Sequence, residues 1–422
     1  MLEMKVFREN SKAIFDDLKK RNMVDDNAKE VIQNDEKWRE LIDEGNKLRA
    51  QRNAISKEVG ELKKKGEDAS ELLQKMSDVK KRLSDNESDT KTSLDLREQA
   101  RMKVPNILDE EVPRGTNEDG NLEISIHGPA KNEGETKSHQ EVMEAIEGAD
   151  LKRAANISGR RFYFLTGELA RLELALINYA TEVLCERGYS LTIPPFMMNR
   201  EAYEGVVDLN DFEEVMYKVE DHDLYLIATS EHPLTSRFKD EIVEIKDEPL
   251  RYAGISTNFR KEVGAHGISD RGIWRVHQFA KVEQVIICKP ENSEELHQEL
   301  VSNATKIFEG LEIPFRIVDI CTGDIGTVAA RKFDLEAWMP ASQQWKEIVS
   351  ASNCRSYQSV RLNMRYRTPE GTDYPHTLNA TAVATTRALA SILENNQQAD
   401  GNVVIPKVLR KWMGNQELIK VK

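Results

Sequence analysis

Between Ala28 and Arg101 the chain is poor in proline, rich in Lys, Glu, Asp, Leu and Gln, and carries its apolar residues on a heptad period. Leu41, Leu48, Ile55 and Leu62 recur every seven residues, with Val31, Trp38 and Val59 on a companion line that Gly45 and Arg52 interrupt. The segment KKKGEDAS, from Lys63 to Ser70, signals a loop, after which Leu72, Met76, Val79 and Leu83 follow at spacings of four, three and four. Thr90, Leu94 and Leu96 continue this second run less regularly. Such a pattern predicts two long helices folded into an antiparallel hairpin. From Lys47 to Lys65 the first helix carries a net charge of +5. Lys75, Lys80, Lys81 and Arg82 lie on the second helix. A solvated coiled-coil face explains these charges, and so does an arm that follows a phosphate backbone.

The 422 residues are enough for two or three domains. Net charge is −13, which does not fit a chain that binds nucleic acid over its whole surface, so the local basic section stands out. Cys185, Cys288, Cys321 and Cys354 are scattered, without the paired spacing of a zinc module or a disulfide framework. No structural zinc is expected. The N-terminal segment lacks a continuous apolar core of signal-peptide length, and no window approaches a membrane span of about 18 apolar residues. The expectation is a soluble, cytoplasmic protein with no membrane partner.

Residues 1–105 read as the helical arm, 106–125 as a Pro/Gly/Asn-bearing linker (within VPNILDEEVPRGTNEDGN) and 126–422 as a second domain. In that domain Leu169, Leu172, Leu176, Ala180 and Val183 predict an amphipathic helix ending near Gly188. Strands are predicted at Leu224–Ala228, Arg251–Arg260, Trp274–Cys288, Phe315–Cys321, Phe333–Met339, Trp345–Ser352 and Tyr357–Arg365. Several follow one another without a helix between them, which favours an antiparallel sheet and an α+β fold. Neither a Rossmann nor a P-loop glycine motif occurs.

The stretch FRKEVGAHGISDRGIWRVHQFAKVE, Phe259 to Glu283, concentrates charge and rings. Read as a strand, its second half puts Arg275, His277, Phe279, Lys281 and Glu283 on one face and Trp274, Val276, Gln278, Ala280 and Val282 on the other. The first row suits a nucleotide: arginine forks onto phosphate oxygens, a ring stacks on a base and a carboxylate holds an ammonium.

This stretch resembles motif 2 of class II aminoacyl-tRNA synthetases, and its HQFAKVE form resembles the seryl-tRNA synthetases. ATSEHPL (Ala228 to Leu234), GDIGTVAARKFDLEAWMP (Gly323 to Pro340), EIVSASNCRSYQSVR (Glu347 to Arg361), TLNATAVATTRALASILENNQ (Thr377 to Gln397) and GNVVIPKVL (Gly401 to Leu409) resemble further segments of that family in the same order. The resemblance implies a class II catalytic domain with a six- to eight-stranded antiparallel sheet, a homodimer, and an N-terminal tRNA-binding arm of bacterial type. It implies serine activation by ATP with Mg²⁺ and transfer of the seryl group to tRNA(Ser), with tRNA(Sec) as a further acceptor.

By matching, Arg260 is expected on the α-phosphate and Arg387 on the γ-phosphate, with Arg275 and His277 as helpers. Glu262 is expected at the adenine amino group and Phe279 against the base. Lys261, Val276, Ile348 and Val349 complete the ATP segments, and Glu347 with Ser350 match the metal pair; two hard oxygens suit Mg²⁺. Thr229, Ser230, Glu231 and Glu283 match the L-serine pocket, with Asn379 and Thr381 facing the hydroxyl. Arg49, Arg52, Lys57, Lys63, Lys64 and Lys65 are the tRNA-binding cations. The match loosens at Ile268, Ser269 and Asp270, where the family's motif 2 loop reads differently, and at Ala380, Ala382 and Thr386. A paralogue that kept the fold without charging tRNA, and a non-catalytic coiled-coil RNA-binding protein, are the competing readings.

Overall fold

The computed structural model describes the 422 residues except 131–135, 208–214, 247 and 263–271. It divides into two compact units, Met1–Pro105 and Asn106–Lys422.

In the first unit, helices α1 (Asp26–Lys65) and α2 (Ser70–Met102) form the predicted hairpin. Gly66, at φ 75°, ends α1, and the Glu67 amide closes back on the Leu62 carbonyl at 3.0 Å. This is a left-handed cap that glycine adopts without penalty. The seam of α2 departs from the expectation. It continues in unbroken four–three spacing through Asn86, Thr90, Ser93, Arg97 and Ala100, while Leu96 is exposed. Polar residues hold the register here. Asn86 Nδ2 donates to the Leu41 carbonyl, and Ser93 Oγ to the Asn34 carbonyl, both at 3.0 Å. Arg97 reaches the buried Asp35 at 2.8 Å. Gly45, which broke the apolar line, faces Asn86: a Cβ at position 45 would stand 2.6 Å from Asn86 Oδ1.

The second unit is built on one eight-stranded sheet. In chain order its strands are β1 (Leu122–His127), β2 (Ser190–Thr192), β3 (Leu250–Phe259), β4 (Gln278–Cys288), β5 (Phe315–Asp319), β6 (Arg331–Met339), β7 (Gln344–Asn353) and β8 (His376–Ala384). Across the sheet the order is β1-β5-β6-β7-β8-β4-β3-β2, antiparallel throughout except where β2 pairs parallel with β3. Helices α3 (Gly167–Glu186), α5 (Ser293–Gly310) and α6 (Thr385–Asn395) share a continuous apolar core with one face of the sheet, where Leu172, Leu176, Leu300, Ile307, Leu389 and Ile392 meet Leu335, Val349, Leu378 and Ile286. The short helix α4 (Glu231–Ser236) precedes β3.

Two expectations are corrected. Residues 106–125 are not a free linker. Asn106 Nδ2 donates to the carbonyls of Val328 and Cys354, both at 2.9 Å, and Leu108 and Val112 bury against Val318 and Ile320. The segment then runs into the edge strand β1. Its proline and glycine content fits an irregular path, but Leu108 and Val112 are buried, while Leu122 and Ile124 of the edge strand are exposed. The run Tyr357–Arg365 is not one strand. Tyr357–Arg361 is helical, with Tyr357 and Val360 buried three residues apart, and Arg365–Thr368 joins a separate three-stranded sheet. Spacing by three marks a helix face, and β-branched content alone misreads it.

Candidate active site

The sheet face away from the core helices is polar, and strand pairing decides which residues share it. Phe279, Lys281 and Glu283 of β4 pair with Asn258, Ser256 and Gly254 of β3. On the other side Glu283 pairs with Thr381 and Lys281 with Ala384 of β8. Plain alternation would not put Thr381 and Ala384 on one face. A bulge at Ala382 resets the phase. β7 has a second bulge at Ile348: Ser350 pairs with Asp334 and Glu347 with Glu336. Glu347 and Ser350, three residues apart in a strand, therefore face the same way. Both irregularities adjoin a cleft lined by Thr229, Glu231, Arg260, Phe279, Glu283, Glu347, Asn379, Thr381 and Arg387, among others.

At one end of the cleft the segment before α4 crosses β3. Gly254 permits the crossing, because a Cβ there would lie 2.6 Å from both Ser230 Oγ and Leu234 Cδ1. Ser230 is fully buried and donates to the Gly254 carbonyl at 3.2 Å. It fastens the segment and does not line the cleft, a correction to its expected contact with substrate. The Ala228 amide donates to Tyr203 Oη at 3.0 Å, and the buried His232 lies 3.0 Å from the same oxygen. Glu231 Oε1 accepts from Gln358 Nε2 at 3.0 Å. Thr381 Oγ1 donates to Glu283 Oε2 at 3.3 Å, and Lys281 Nζ is 2.5 Å from the same oxygen. Burial, reinforced by the neighbouring Glu283, pushes the Glu231 carboxyl up to about 7. Burial lowers the Lys281 ammonium, against the pull of Glu283. This end offers two carboxylates, one buried cation, hydroxyls and the Asn379 amide within a small volume. Such a set suits a zwitterion with a polar side chain.

The other end is cationic and aromatic. The Arg260 guanidinium lies 5.3 Å over the Phe279 ring. Arg275 reaches Glu262 at 3.5 Å. Arg387, in the first turn of α6, donates to the Glu347 carbonyl at 2.8 Å and to its carboxylate at 3.1 Å, and sits 5.8 Å from the Trp274 ring. Burial raises Glu347, but Arg387, Lys332 and Arg260 outweigh it and hold the carboxylate below its usual range. Burial pushes the adjoining Asp334 up to about 7, against the pull of Lys332, and its Oδ1 is buried without a hydrogen-bond partner.

The sequence thus grouped Thr229, Glu231, Arg260, Glu262, Arg275, Val276, Phe279, Glu283, Glu347, Ile348, Ser350, Asn379, Thr381 and Arg387 correctly as neighbours in one cleft. Val349 points into the apolar core, as the residue after a bulge must, and Lys261 does not line the cleft, its amide donating to the Val215 carbonyl. His277 turns away towards Phe162 and Tyr217, and its Nδ1 meets the Arg260 carbonyl at 2.8 Å. The alternation drawn from Trp274 fails because the strand begins only at Gln278, so Trp274 and Val276 line the cleft beside Arg275. Lys281 had no assigned role, although its place in the row pointed to one. Trp274, Ser352, Ala384 and Thr386 were also missed as lining residues. The divergent loop residues Ile268, Ser269 and Asp270 lie outside the described residues.

Residues 1–108 match the model of the seryl-tRNA synthetase N-terminal domain, and residues 216–396 match the tRNA synthetase class II core domain (G, H, P, S and T). A serine–tRNA ligase of Methanospirillum hungatei is 49% identical over 99% of this chain and 100% of its own length. The chain belongs to the seryl-tRNA synthetase family. A serine–tRNA ligase of Pyrococcus horikoshii is 44% identical over 100% of this chain and 98% of its own. The crystal structure of the seryl-tRNA synthetase from that organism, complexed with ATP, superposes with a TM-score of 0.95 at 43% identity and covers both chains fully. The cytoplasmic serine–tRNA ligase of Naegleria fowleri, in complex with AMP, gives 0.90 at 34% identity over 100% of this chain and 99% of its own. The sheet, the arm and the order of motifs are those of the family.

Proposed function

We propose that this chain is a serine–tRNA ligase. It activates L-serine with ATP to seryl-adenylate and pyrophosphate, then passes the seryl group to the 3′ end of tRNA(Ser). The observation that carries this reading is the division of one cleft into an ammonium-binding end (Glu231, Glu283) and a phosphate- and base-binding end (Arg260, Phe279, Arg387). The ATP and AMP held by the two structural relatives support the second end.

The serine carboxylate is ionised at neutral pH and needs no general base. Held by its ammonium, it attacks the α-phosphorus. A carboxyl oxygen–phosphorus bond forms, and the bond to the β-phosphate oxygen breaks. Arg260 offsets charge gathering on the α-phosphoryl oxygens and Arg387 steadies the departing pyrophosphate. Phe279 and Glu262 fix the base, and Thr381 and Asn379 face the serine hydroxyl. A tRNA 3′-terminal ribose hydroxyl then attacks the carbonyl, and AMP leaves. Glu347 and Ser350 would hold Mg²⁺, which when bound neutralises phosphate charge. Their fit rests on two hard oxygens facing one way beside the unsatisfied Asp334 Oδ1. Among the described residues no cluster of three or more His, Cys, Asp or Glu is arranged to hold a metal, so ATP oxygens and water would complete the shell.

Arg49, Lys57, Lys63, Lys64 and Lys65, all exposed on α1, with the half-buried Arg52, form the tRNA-binding surface of the arm. Exposed Leu174, Leu191 and Ile193 around the edge strand β2 support a homodimer. The four cysteines, none in a disulfide, fit the reducing cytoplasm.

Serine-dependent exchange of pyrophosphate into ATP, followed by charging of tRNA(Ser) and tRNA(Sec), tests the reading. Arg260→Ala should lower exchange by about 10²–10³-fold, the usual scale for one charge-stabilising donor. Exchange with another amino acid in preference to serine overturns the reading, and exchange without charging indicates a paralogue.

A further inference from the structure

Gln358 lies on the helix Tyr357–Arg361 that the strand pattern concealed, and it is wholly buried. Its Nε2 donates to Glu231 Oε1 at 3.0 Å and to the Val206 carbonyl at 3.1 Å. Its Oε1 accepts from Thr377 Oγ1 at 2.6 Å. Thr377 is on β8, in the same alternating row as Asn379 and Thr381. A relay of three side chains therefore ties the floor of the sheet to Glu231, which approaches from a different element. Among the described residues the second oxygen of Glu231 makes no hydrogen bond, and Glu231 lines the cleft.

We propose that Gln358 is a specificity-determining positioning residue of the amino-acid pocket: it occupies one oxygen of Glu231 so that a single, fixed oxygen receives the substrate ammonium. This rests on the serine pocket proposed above. An amide is the side chain suited to the task. It holds a carboxylate by hydrogen bonding without cancelling its charge, whereas Lys or Arg at 358 would neutralise the group meant for the ammonium. A freely turning carboxylate would accept the ammonium in several poses, and the attacking carboxylate of serine would be aimed correctly in few of them. The buried Val206 carbonyl and Thr377 hydroxyl fix the amide's orientation, since a flipped amide would put its oxygen against the Val206 carbonyl and Glu231.

Gln358→Met keeps length and volume and removes both donors. In pyrophosphate exchange its KM for serine should rise about 10- to 100-fold, as for the loss of one hydrogen bond to a charged group. kcat should fall less, and KM for ATP should stay within about twofold. If Gln358→Met does not fold, the pair at the far end of the relay decides: Thr377→Val should raise the serine KM and Thr377→Ser should restore it. An unchanged serine KM in Gln358→Met, or equal rises in the serine and ATP constants, overturns the proposal. So do Thr377→Val and Thr377→Ser variants that behave alike. A wild-type enzyme that exchanges pyrophosphate with no dependence on serine overturns the serine pocket itself, which separates the two failures.

Discussion

In the proposed serine pocket one buried side chain, Glu231, couples substrate binding to pH. Its carboxyl is raised to about 7 by burial and by Glu283, while the serine ammonium is held best by the ionised form. Below pH 7 the free enzyme must lose a proton to bind serine. The serine KM should therefore climb by up to about tenfold per pH unit under pH 7 and level off above it. Glu231→Gln should abolish that slope in pyrophosphate exchange, and a slope that persists would place the titration elsewhere. For stability the sign is the reverse of a depressed carboxylate. Between the ordinary glutamate value and about 7 the folded chain keeps a proton that the unfolded chain has lost, so this group erodes stability as pH rises through that window. At this scale much was legible. Phe279, Lys281 and Glu283 declare their common face by alternation alone. Glu347 and Ser350 do not, because nothing in the residues between them announces a bulge, and their pairing rested on family resemblance.

At the scale of elements, the approach of α4 to β3 depends on a missing side chain. Gly254→Ala would push a methyl against Ser230 and Leu234, and overpacking of this kind costs about 1–3 kcal/mol. Part of that cost falls on the position of Thr229 and Glu231, so the variant should lose at least about tenfold in kcat/KM for serine while keeping its affinity for ATP. Equal losses for both substrates would mean that the whole sheet had shifted. Elements were read well where apolar spacing is regular, as in α1 and α3, and poorly where polar atoms hold them. The seam of α2 keeps its four–three rhythm through Asn86, Ser93 and Arg97, whereas the apolar residues of that stretch, Leu94 and Leu96, lie off this line. The helix at Tyr357–Arg361 was hidden by its aromatic and β-branched residues, and with it Gln358.

For the whole molecule, the division at Pro105 and Asn106 separates charge from chemistry. Removing residues 30–100 should leave serine-dependent exchange within about twofold and lower charging of tRNA(Ser) by about 100-fold or more, since phosphate contacts supply much of nucleic-acid affinity. Equal charging by the truncated and intact proteins would deprive the arm of its assigned part. The exposed Ile193, 72% accessible, and Leu174, 61%, belong to the flank read as a subunit contact. Ile193→Asp should shift sedimentation from about twice the 48.2 kDa chain mass to a single chain; a wild-type monomer would remove that contact. Ile348 and Ala382 are the extra residues of the two bulges in the central strands. Deleting Ile348 would leave Glu347, Val349 and Ser350 in plain alternation opposite Glu336, Leu335 and Asp334, so that Glu347 and Ser350 would still share the cleft face and Val349 would stay in the core. What such a deletion removes is the Ile348 wall of the cleft, so the extra residue shapes the cavity between two side chains whose common facing does not depend on it.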